Sequence, residues 1–312
     1  MNDRPQVLVT GAAGFAGSHL VEHLAPNYEV TGWSRSEPPH AVASLARWTR
    51  VDLLDRERVR AEIRRLRPRL VYHCAGAAHV AQSWANTTVP LAGNVLTTQH
   101  LLDAIRRAGL SCKVLVTGSA SVYATSNTPI AEDGVIAPAS PYALSKLAQE
   151  QLGLRAVTED GIEVVVARAF NHTGARQNPA FAAAGMARQV ARIERGLMPP
   201  VIRVGNLEAQ RDLTDVRDTV KAYALLMERG TPGAIYNVAS GVARPIRAIL
   251  EALVGRSRVP VEITTDPALF RPNDTPVVVG DASRLRATTG WAPSIGFDRM
   301  LDDLLEYWRS EN

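Results

Sequence analysis

Residues 7–17 read Val7-Leu-Val-Thr-Gly-Ala-Ala-Gly-Phe-Ala-Gly17, and this stretch decides the fold. An apolar run, Val7–Thr10, leads into three glycines spaced Gly-x-x-Gly-x-x-Gly, and an amphipathic segment, Ser18–Leu24, follows. Glycines in such a turn let backbone N–H groups approach a pyrophosphate, and the N-terminus of the next helix favours its negative charge. The stretch therefore predicts a strand, a phosphate-binding turn and a helix, with an ordinary glycine-rich turn as the alternative.

Strand-like and helix-like segments alternate through the first half of the chain. Short apolar runs suited to strands lie at Tyr28–Trp33, Leu70–Cys74, Val114–Thr117 and Val164–Ala167. Between them, helical periodicity marks Val59–Leu66, Val95–Ala108 and Tyr142–Ala156. This order predicts an α/β fold with a doubly wound parallel sheet of the Rossmann type, covered by helices on both faces. We assign residues 1–170 to a dinucleotide-binding domain.

The pattern loosens after Phe170. A turn-rich stretch comes first, and helices are predicted at Met186–Arg195, Val216–Glu228, Ile246–Val254 and Phe297–Trp308, with a Pro-rich loop at Pro267–Pro276. We assign residues 171–312 mainly to a smaller, mixed α/β substrate-binding lid. Residues 212–240 are expected to return to the first domain.

Composition and charge exclude several classes of protein. Hydrophobic residues make up 46% and charged residues 21% of the 312, which is typical of a globular protein and excludes disorder and a coiled coil. No apolar run is long enough for a membrane span, and two cysteines cannot form a disulfide framework. Basic residues are interspersed with acids, as at Arg56–Arg69, so the net charge of +4 does not indicate nucleic-acid binding. We expect a cytoplasmic protein with neither a nucleic-acid nor a membrane partner.

Tyr142-Ala-Leu-Ser-Lys146 places a phenol and an ammonium on one helix face, since residues i and i+4 are neighbours there. A nearby ammonium lowers the pKa of a phenol, which favours proton exchange near neutral pH. Lysine is rare in this chain, because arginine supplies most of the basic residues. A basic residue placed at position 146 by chance would usually be arginine, so Lys146 indicates a specific role. Ser119 follows the strand Val114–Thr117, at the sheet edge where ligands bind. A chance Tyr–Lys pair and a turn serine are the alternatives.

The end of the second strand bears on cofactor choice. Ser34 and Arg35 stand where an acidic residue would read the ribose 2′-hydroxyl of NAD, and they suit the 2′-phosphate of NADP(H). We therefore expect NADP(H) rather than NAD(H), although Glu37 could still serve NAD. Asp52 could bond the adenine or could cap a helix.

Together these features resemble the extended short-chain dehydrogenase/reductases that act on nucleotide sugars. The resemblance rests on Gly11/Gly14/Gly17, Ala75-Gly76-Ala77, Asn94, Ser119-Ala-Ser-Val-Tyr123 and Tyr142-x-x-x-Lys146, and it extends from Val7 to about Trp308. It implies that Ser119, Tyr142 and Lys146 are catalytic, with no metal. The cofactor-binding residues assigned on this basis are Gly11, Gly14, Phe15, Ala16, Gly17, Ser34, Arg35, Asp52, Leu53, Ala75, Gly76, Ala77, Asn94, Tyr142, Lys146 and Arg168.

Motifs of the second half are similar to the GDP-mannose branch of that family, which holds 4,6-dehydratases and 4-keto reductases. They include Arg168-Ala-Phe-Asn171-His172-Thr-Gly174, Val204-Gly-Asn206-Leu207-Glu-Ala-Gln-Arg211-Asp212 and Arg271-Pro272. The resemblance implies a GDP-linked substrate, and a bidentate guanidinium suits its pyrophosphate. The substrate-binding residues assigned on this basis are Ser83, Ser119, Asn171, Arg188, Asn206, Arg211 and Arg271.

Position 121 separates the two reactions. A 4,6-dehydratase needs a base near C5, which the family supplies as a Glu two positions beyond the catalytic hydroxyl residue; here that position is Ser121. Serine cannot act as that base at neutral pH. The resemblance therefore implies NADP(H)-dependent reduction of a GDP-4-keto-6-deoxyhexose, such as GDP-4-keto-6-deoxy-mannose to GDP-rhamnose. Two departures are that reductases often carry Asp at position 121 and that Ala169 replaces the usual Pro.

Two other functions stay open on the sequence. A nucleotide-sugar 4-epimerase would use the same residues with a retained NAD, and a non-catalytic dinucleotide-sensing protein would keep only the cofactor fold. The resemblance also implies a homodimer, in which Val95–Ala108 and Tyr142–Ala156 of two copies form a four-helix interface.

Overall fold

A computed structural model describes residues 4–269 and 275–311. Its strands, numbered in chain order, are β1 Gln6–Thr10, β2 Glu29–Ser34, β3 Arg47–Arg50, β4 Leu70–His73, β5 Lys113–Ser119, β6 Glu163–Ala169, β7 Asn171–Thr173, β8 Val201–Val204, β9 Gln210–Asp215, β10 Ile235–Val238, β11 Ala243–Pro245, β12 Glu262–Thr265 and β13 Val277–Val278.

The helices connect these strands in regular alternation through the first half. They are α1 Phe15–Leu24, α2 Arg56–Leu66, α3 Val80–Ala85, α4 Thr88–Pro90, α5 Thr97–Arg107, α6 Pro141–Asp160, α7 Ala182–Glu194, α8 Val216–Arg229, α9 Ile246–Val254, α10 Ser283–Thr289 and α11 Phe297–Ser310. A π-helical segment, Leu91–Leu96, joins α4 to α5, and 3₁₀ turns lie at His40–Leu45, Ala120–Val122 and Pro267–Leu269.

Seven parallel strands of the described part of the chain form the main sheet, in the order β10-β6-β5-β4-β1-β2-β3. β1 lies between β2 and β4, so the order of strands reverses there and opens a crevice at their carboxyl ends. This arrangement confirms the predicted doubly wound α/β fold and places the glycine turn after β1 at the mouth of the crevice.

Side-chain alternation along the central strands builds two hydrophobic layers, one on each face of the sheet. Val7 and Val9 of β1 pack into one layer with residues of α1 and α8, whereas Leu8 packs into the other with residues of α2 and α5. The strands are buried on both faces, as a parallel sheet with helices on each side requires.

The second half adds its own layers to this platform. β7, β9, β11 and β13 form a small sheet, and β8 pairs with β12. A third hydrophobic cluster joins α7, α9 and α11 through Val190, Leu250 and Leu304. β10 joins the main sheet beside β6, and α8 packs on β5 and β6. The division of the chain at residue 170 stays a prediction.

Some elements are not evident in the sequence. β3 is an edge strand whose residues, Arg47-Trp-Thr-Arg50, have no apolar alternation, and pairing with β2 alone defines it. The described part of the predicted loop Pro267–Pro276 begins with a 3₁₀ turn, and Arg271 lies outside the described residues. Within the described ranges, no helix combines the length and the apolar character that crossing a membrane requires.

Candidate active site

The glycine turn packs directly against the loop that follows β4. Gly11 has a φ of +67°, and a Cβ on it would lie 2.7 Å from backbone atoms of Ala75. A Cβ on Gly17 would lie 2.1 Å from the carbonyl oxygen of Gly11. Gly14 is the N-cap of α1 and offers no side chain to cap that helix. No side chain therefore caps the start of α1, and its first backbone N–H groups stay available to a phosphate.

Asn94 holds the second loop of the predicted cofactor site. Its Oδ1 accepts a hydrogen bond from the N–H of Ala77 at 2.8 Å, and its Nδ2 donates to Ser145 of α6 at 2.8 Å. A Cβ on Gly76 would lie 2.4 Å from that Oδ1, so only glycine fits there. Asn94 is fully buried, and its amide therefore shapes the Ala75–Ala77 loop from behind.

The end of β2 presents the residues expected to read the adenosine ribose. The hydroxyl of Ser34 accepts from the N–H of Ser36 at 3.1 Å, and Arg35 is exposed. Arg35 forms no ion pair with any of the described residues, so its guanidinium is available to a phosphate. Asp52 is also exposed and accepts from the N–H of Leu54 at 3.0 Å, whereas the side chain of Leu53 lies in the core.

Ser119 and Tyr142 meet at the carboxyl edge of the sheet. Ser119 is the last residue of β5, and Tyr142 lies in the first turn of α6, where Ser140 caps the helix by accepting from the N–H of Ala143 at 3.0 Å. The side chain of Ser119 lies close enough to the phenol of Tyr142 to lower its pKa. The backbone N–H of Tyr142 donates to the hydroxyl of Ser83 at 3.3 Å, which places that residue beside the pair.

The pKa of Tyr142 differs from the expectation that Lys146 holds it down. Burial raises the pKa of Tyr142, and the nearby side chain of Ser119 only partly opposes that increase. Desolvation disfavours the phenolate and is the larger of these two effects. Tyr142 is therefore protonated at neutral pH.

Lys146 lies one turn further along α6, and its ammonium is almost completely buried. It donates hydrogen bonds to the carbonyl oxygen of Thr117 and to Oε1 of Gln149. Burial lowers the pKa of Lys146 to about 8, while Cys74 and Glu150 act in the opposite direction. The site thus brings together the neutral phenol of Tyr142, the hydroxyl of Ser119 and the buried ammonium of Lys146.

Arg168 has its own partners within the protein. Its guanidinium forms a buried ion pair with Glu150 of α6, at 2.6 and 2.8 Å, and donates to the hydroxyl of Tyr123 at 2.7 Å. The side chain passes over Gly118, where a Cβ would lie 3.1 Å from its Cγ. The guanidinium therefore braces α6 against the sheet, and the assignment of Arg168 to the cofactor site stays a prediction.

Apart from Ser83 and Ser119, the predicted substrate residues lie in the second half of the chain. Asn171 is exposed at the start of β7, two residues beyond Ala169, which pairs in register with Ser119. Arg211 lies on β9 and donates to the carbonyl oxygen of Thr275 at 2.7 Å.

Two further substrate candidates lie apart from this edge. Asn206 accepts from the N–H of Glu208 at 3.0 Å. Arg188 of α7 is exposed, with its guanidinium over the ring of Trp308 at 5.7 Å. The binding roles of all these residues stay predictions.

Asp212 is a buried neighbour of Arg211 that the sequence singles out only as part of a motif. It is fully buried, and its carboxylate accepts from the N–H and hydroxyl of Ser240 and from the N–H groups of Gly241 and Gly280. Burial raises the pKa of Asp212. The carboxylate ties three backbone segments together directly beside Arg211, and its only sequence signal is an acidic residue at the end of the motif Val204–Asp212.

Comparison with known proteins agrees with this geometry. The model of the family described as GDP-mannose 4,6 dehydratase matches residues 8–304. The chain belongs to this family. A GDP-6-deoxy-D-mannose reductase of Pseudomonas aeruginosa is 37% identical to it, over 98% of this chain and 97% of the relative. These matches confirm the resemblance to the GDP-mannose branch.

Solved structures and a second relative widen the comparison. A structure described as RMD from Pseudomonas aeruginosa complexed with NADPH superposes with a TM-score of 0.87 and 35% identity, and the match covers 98% of this chain and 99% of that one. A UDP-glucose 4-epimerase of Azospirillum brasilense is 32% identical over 93% of this chain and 87% of the relative.

Proposed function

We propose that the chain is an NADPH-dependent reductase of a GDP-linked 4-keto-6-deoxyhexose and forms a GDP-6-deoxyhexose such as GDP-rhamnose. The observation that carries the proposal is the side chain of Ser119 close enough to Tyr142 to lower its pKa, with Lys146 one helical turn away and no carboxylate at position 121. Ser121 is exposed and donates its N–H to the hydroxyl of Ser119 at 3.2 Å. The site supplies one acid, as a reduction needs, and lacks the base that an elimination would need at that position.

The residues of the crevice fit NADPH. The glycine turn packs against its own backbone and that of Ala75 more closely than a Cβ would allow, and the start of α1, which no side chain caps, suits a pyrophosphate. Arg35 would hold the 2′-phosphate, and Lys146 would donate to the nicotinamide ribose. Bound there, the dinucleotide supplies a hydride for C4 of the sugar.

The side chains of this protein provide the rest of the chemistry. Ser119 orients the C4 carbonyl oxygen by hydrogen bonding. Tyr142 is neutral, because burial raises its pKa, and it donates its phenolic proton to that oxygen. The ammonium of Lys146 then stabilises the phenolate that remains. Water restores the proton to Tyr142 after product release.

The nucleotide of the substrate would lie across the small sheet. The identity of 37% with a reductase named for a GDP-sugar supports guanosine as the base. Asn171, Asn206 and Arg211 would contact the nucleotide, and Arg188 and Arg271 would add positive charge toward the diphosphate. A thermal-shift series of GDP, UDP, CDP and dTDP with NADPH tests this, because the preferred ligand stabilises the folded state most. We expect the largest shift with GDP, and an equal or larger shift with UDP contradicts the assignment.

The similarity to a UDP-glucose 4-epimerase is the reason to test a second function, that of a nucleotide-sugar 4-epimerase. An epimerase oxidises and reduces with a retained NAD, so the purified protein would carry bound NAD and would need no added cofactor. We expect instead that turnover of GDP-4-keto-6-deoxy-mannose requires added NADPH and consumes it in proportion to product. Conversion of a 4-hydroxy nucleotide sugar such as UDP-glucose into its C4 epimer, without added cofactor, would replace the reductase by the epimerase.

We also propose that the protein is a homodimer. Trp84, Val89, Leu91, Leu96 and Leu144 expose apolar side chains around α3, the Leu91–Leu96 segment and α6. We call this group the helical patch. α6 packs on the Leu91–Leu96 segment and on α5, so these helices can meet their copies in a four-helix interface. The patch is the type of surface that a partner copy covers.

A further inference from the structure

A chain of buried polar side chains runs behind Lys146. Oε1 of Gln149 accepts from the Lys146 ammonium, and Nε2 of Gln149 donates to the hydroxyl of Thr98 at 2.9 Å. That hydroxyl also lies 2.8 Å from Nε2 of His73, and Nδ1 of His73 lies 2.8 Å from the hydroxyl of Thr10. All five side chains are buried, and they link α6 and α5 to β4 and β1.

The directions of these hydrogen bonds are fixed by chemistry. The hydroxyl of Thr98 lies 2.6 Å from the carbonyl oxygen of Asn94, which can only accept, so Thr98 donates there. Thr98 must then accept from both Gln149 and His73. His73 therefore carries its proton on Nε2 and accepts from Thr10 at Nδ1. Burial lowers the pKa of His73 to about 3, which keeps the ring neutral.

Gln149 is oriented in the same way. An ammonium has no lone pair to accept with, so Lys146 must face the amide oxygen of Gln149, and the NH₂ group must face Thr98. Rotating the amide would break both contacts at once. The network therefore holds Gln149 in one orientation, with its oxygen toward Lys146.

We propose that Gln149 is a positioning residue whose amide oxygen fixes the Lys146 ammonium one turn from Tyr142 and keeps it charged during the reaction. The inference rests on the proposed reductase function, in which a charged Lys146 stabilises the phenolate of Tyr142. Gln149 does not touch the reacting atoms and acts only through Lys146.

The surroundings of Lys146 show why a neutral acceptor matters. β4 contributes the neutral His73, and the next residue, Cys74, contributes a thiol that burial keeps protonated with a pKa of about 12. α6 contributes Tyr142, also neutral, and Glu150, whose carboxylate is already paired with Arg168. β5 contributes the carbonyl oxygen of Thr117. Gln149 is thus one of two hydrogen-bond acceptors for this ammonium among the described residues.

The effect of removing that acceptor has a defined sign. A buried ammonium that loses a hydrogen-bond acceptor releases its proton more readily. The pKa of Lys146 should therefore fall in Gln149→Leu. A carboxylate in the same place favours the ammonium, so the pKa rises in Gln149→Glu. Hydrogen bonds to charged groups correspond to about one pH unit or more. During the reduction, kcat falls at alkaline pH as Lys146 loses its proton. This alkaline limb of the pH–kcat profile therefore shifts when the pKa of Lys146 shifts.

The scarcity of lysine makes a direct measurement practical. With lysine ¹³C-labelled at Cε, the full chain gives three lysine signals, from Lys113, Lys146 and Lys221, and the signal lost in Lys146→Arg identifies the relevant one. The Lys146 signal is titrated with NADPH bound in wild type, Gln149→Leu, Gln149→Glu and the control Gln151→Leu, an exposed position on the same helix. The pH–kcat profile of each is recorded in parallel.

We expect the titration midpoint of Lys146 to fall by about one pH unit in Gln149→Leu, to rise in Gln149→Glu and to stay unchanged in Gln151→Leu. The alkaline limb of each pH–kcat profile should shift in the same direction as the midpoint. Wild-type midpoints in both Gln149 variants, even with lower kcat or lower thermal stability, would show a packing role only and overturn the proposal. If Gln149→Leu does not fold, the Gln149→Glu shift decides alone. The titration needs no turnover, so a wild type inactive on the 4-keto sugar would count against the proposed function instead.

Discussion

In the proposed reaction, the proton comes from the hydroxyl of Tyr142, whose pKa is raised by burial and lowered in part by the nearby side chain of Ser119. A raised pKa suits an acid that must arrive protonated. The pKa of Lys146, lowered to about 8, leaves the ammonium largely charged at neutral pH, in position to stabilise the phenolate. In the proposed reaction, the raised pKa leaves Tyr142 with a proton to donate. The charged Lys146 then stabilises the phenolate that forms.

Tyr142→Phe removes this proton donor and keeps the ring. We expect turnover of the 4-keto sugar to fall by about 100-fold or more, the range typical of a lost general acid. NADPH affinity and thermal stability are measured in parallel and should stay near wild type. Near-native turnover in this variant would remove Tyr142 from the mechanism.

Arg35→Ala addresses cofactor choice. Arg35 is exposed at the end of β2 and forms no ion pair within the described residues, so a 2′-phosphate has no competitor for it. We expect KM to rise by about 10-fold or more for NADPH, the loss of one charge-assisted contact, and to change little for NADH. Arg69→Ala, an exposed arginine at the opposite end of the sheet, is the control. Equal losses with both cofactors would show that Arg35 does not read the phosphate.

Individual residues were predictable where local chemistry fixes their position. Gly11 and Gly17 follow from the turn they must form, and Tyr142 and Lys146 follow from helical spacing. The side chain of Arg168 was not predictable, because a strand end says nothing about which face a residue takes. Gln149 was not predictable either, since its partner Thr98 lies far from it in sequence.

At the scale of elements, α6 is the main support of the site. It carries Tyr142, Lys146 and Gln149, and Glu150 ties it to the sheet through Arg168. Its first turn begins at Pro141, with Ser140 as the N-cap. The position of Tyr142 therefore depends on how well that turn is formed.

Ser140→Ala tests this dependence, because it removes the side chain that accepts from the N–H of Ala143. We expect the free energy of unfolding, measured with urea, to fall by about 1 kcal/mol, the usual cost of losing an N-cap. Ser140→Asp, which retains an acceptor, should recover most of it. Unchanged stability in the alanine variant would mean that the cap contributes nothing.

Elements were predictable from sequence where apolar periodicity is strong. β1, β5 and β6 are buried on both faces and read as continuous apolar runs, so their existence and order follow directly. β3 and β9 carry charged residues and exist because a neighbouring strand pairs with them. Non-local pairing of this kind leaves no periodic signal in a single sequence.

At the scale of the whole molecule, the helical patch carries the prediction of a dimer. We expect a dimer by light scattering at micromolar concentration, and a monomer for Leu144→Glu, because a charge at an apolar interface is costly to bury. Leu144 is 53% exposed, and Leu269, 51% exposed and outside the patch, supplies the control Leu269→Glu. A monomeric wild type, or a dimeric Leu144→Glu, would contradict this interface.

The central claim is that the site transfers a hydride to C4 of a GDP-linked 4-keto-6-deoxyhexose while Tyr142 supplies the proton. The most direct test incubates the protein with GDP-4-keto-6-deoxy-mannose and NADPH deuterated at the transferable hydride, and locates deuterium in the product by mass spectrometry and NMR. We predict one deuterium at C4, equal amounts of product and oxidised cofactor, and a strongly reduced yield with Tyr142→Phe. Product without deuterium, or product formed without oxidation of NADPH, would contradict the account.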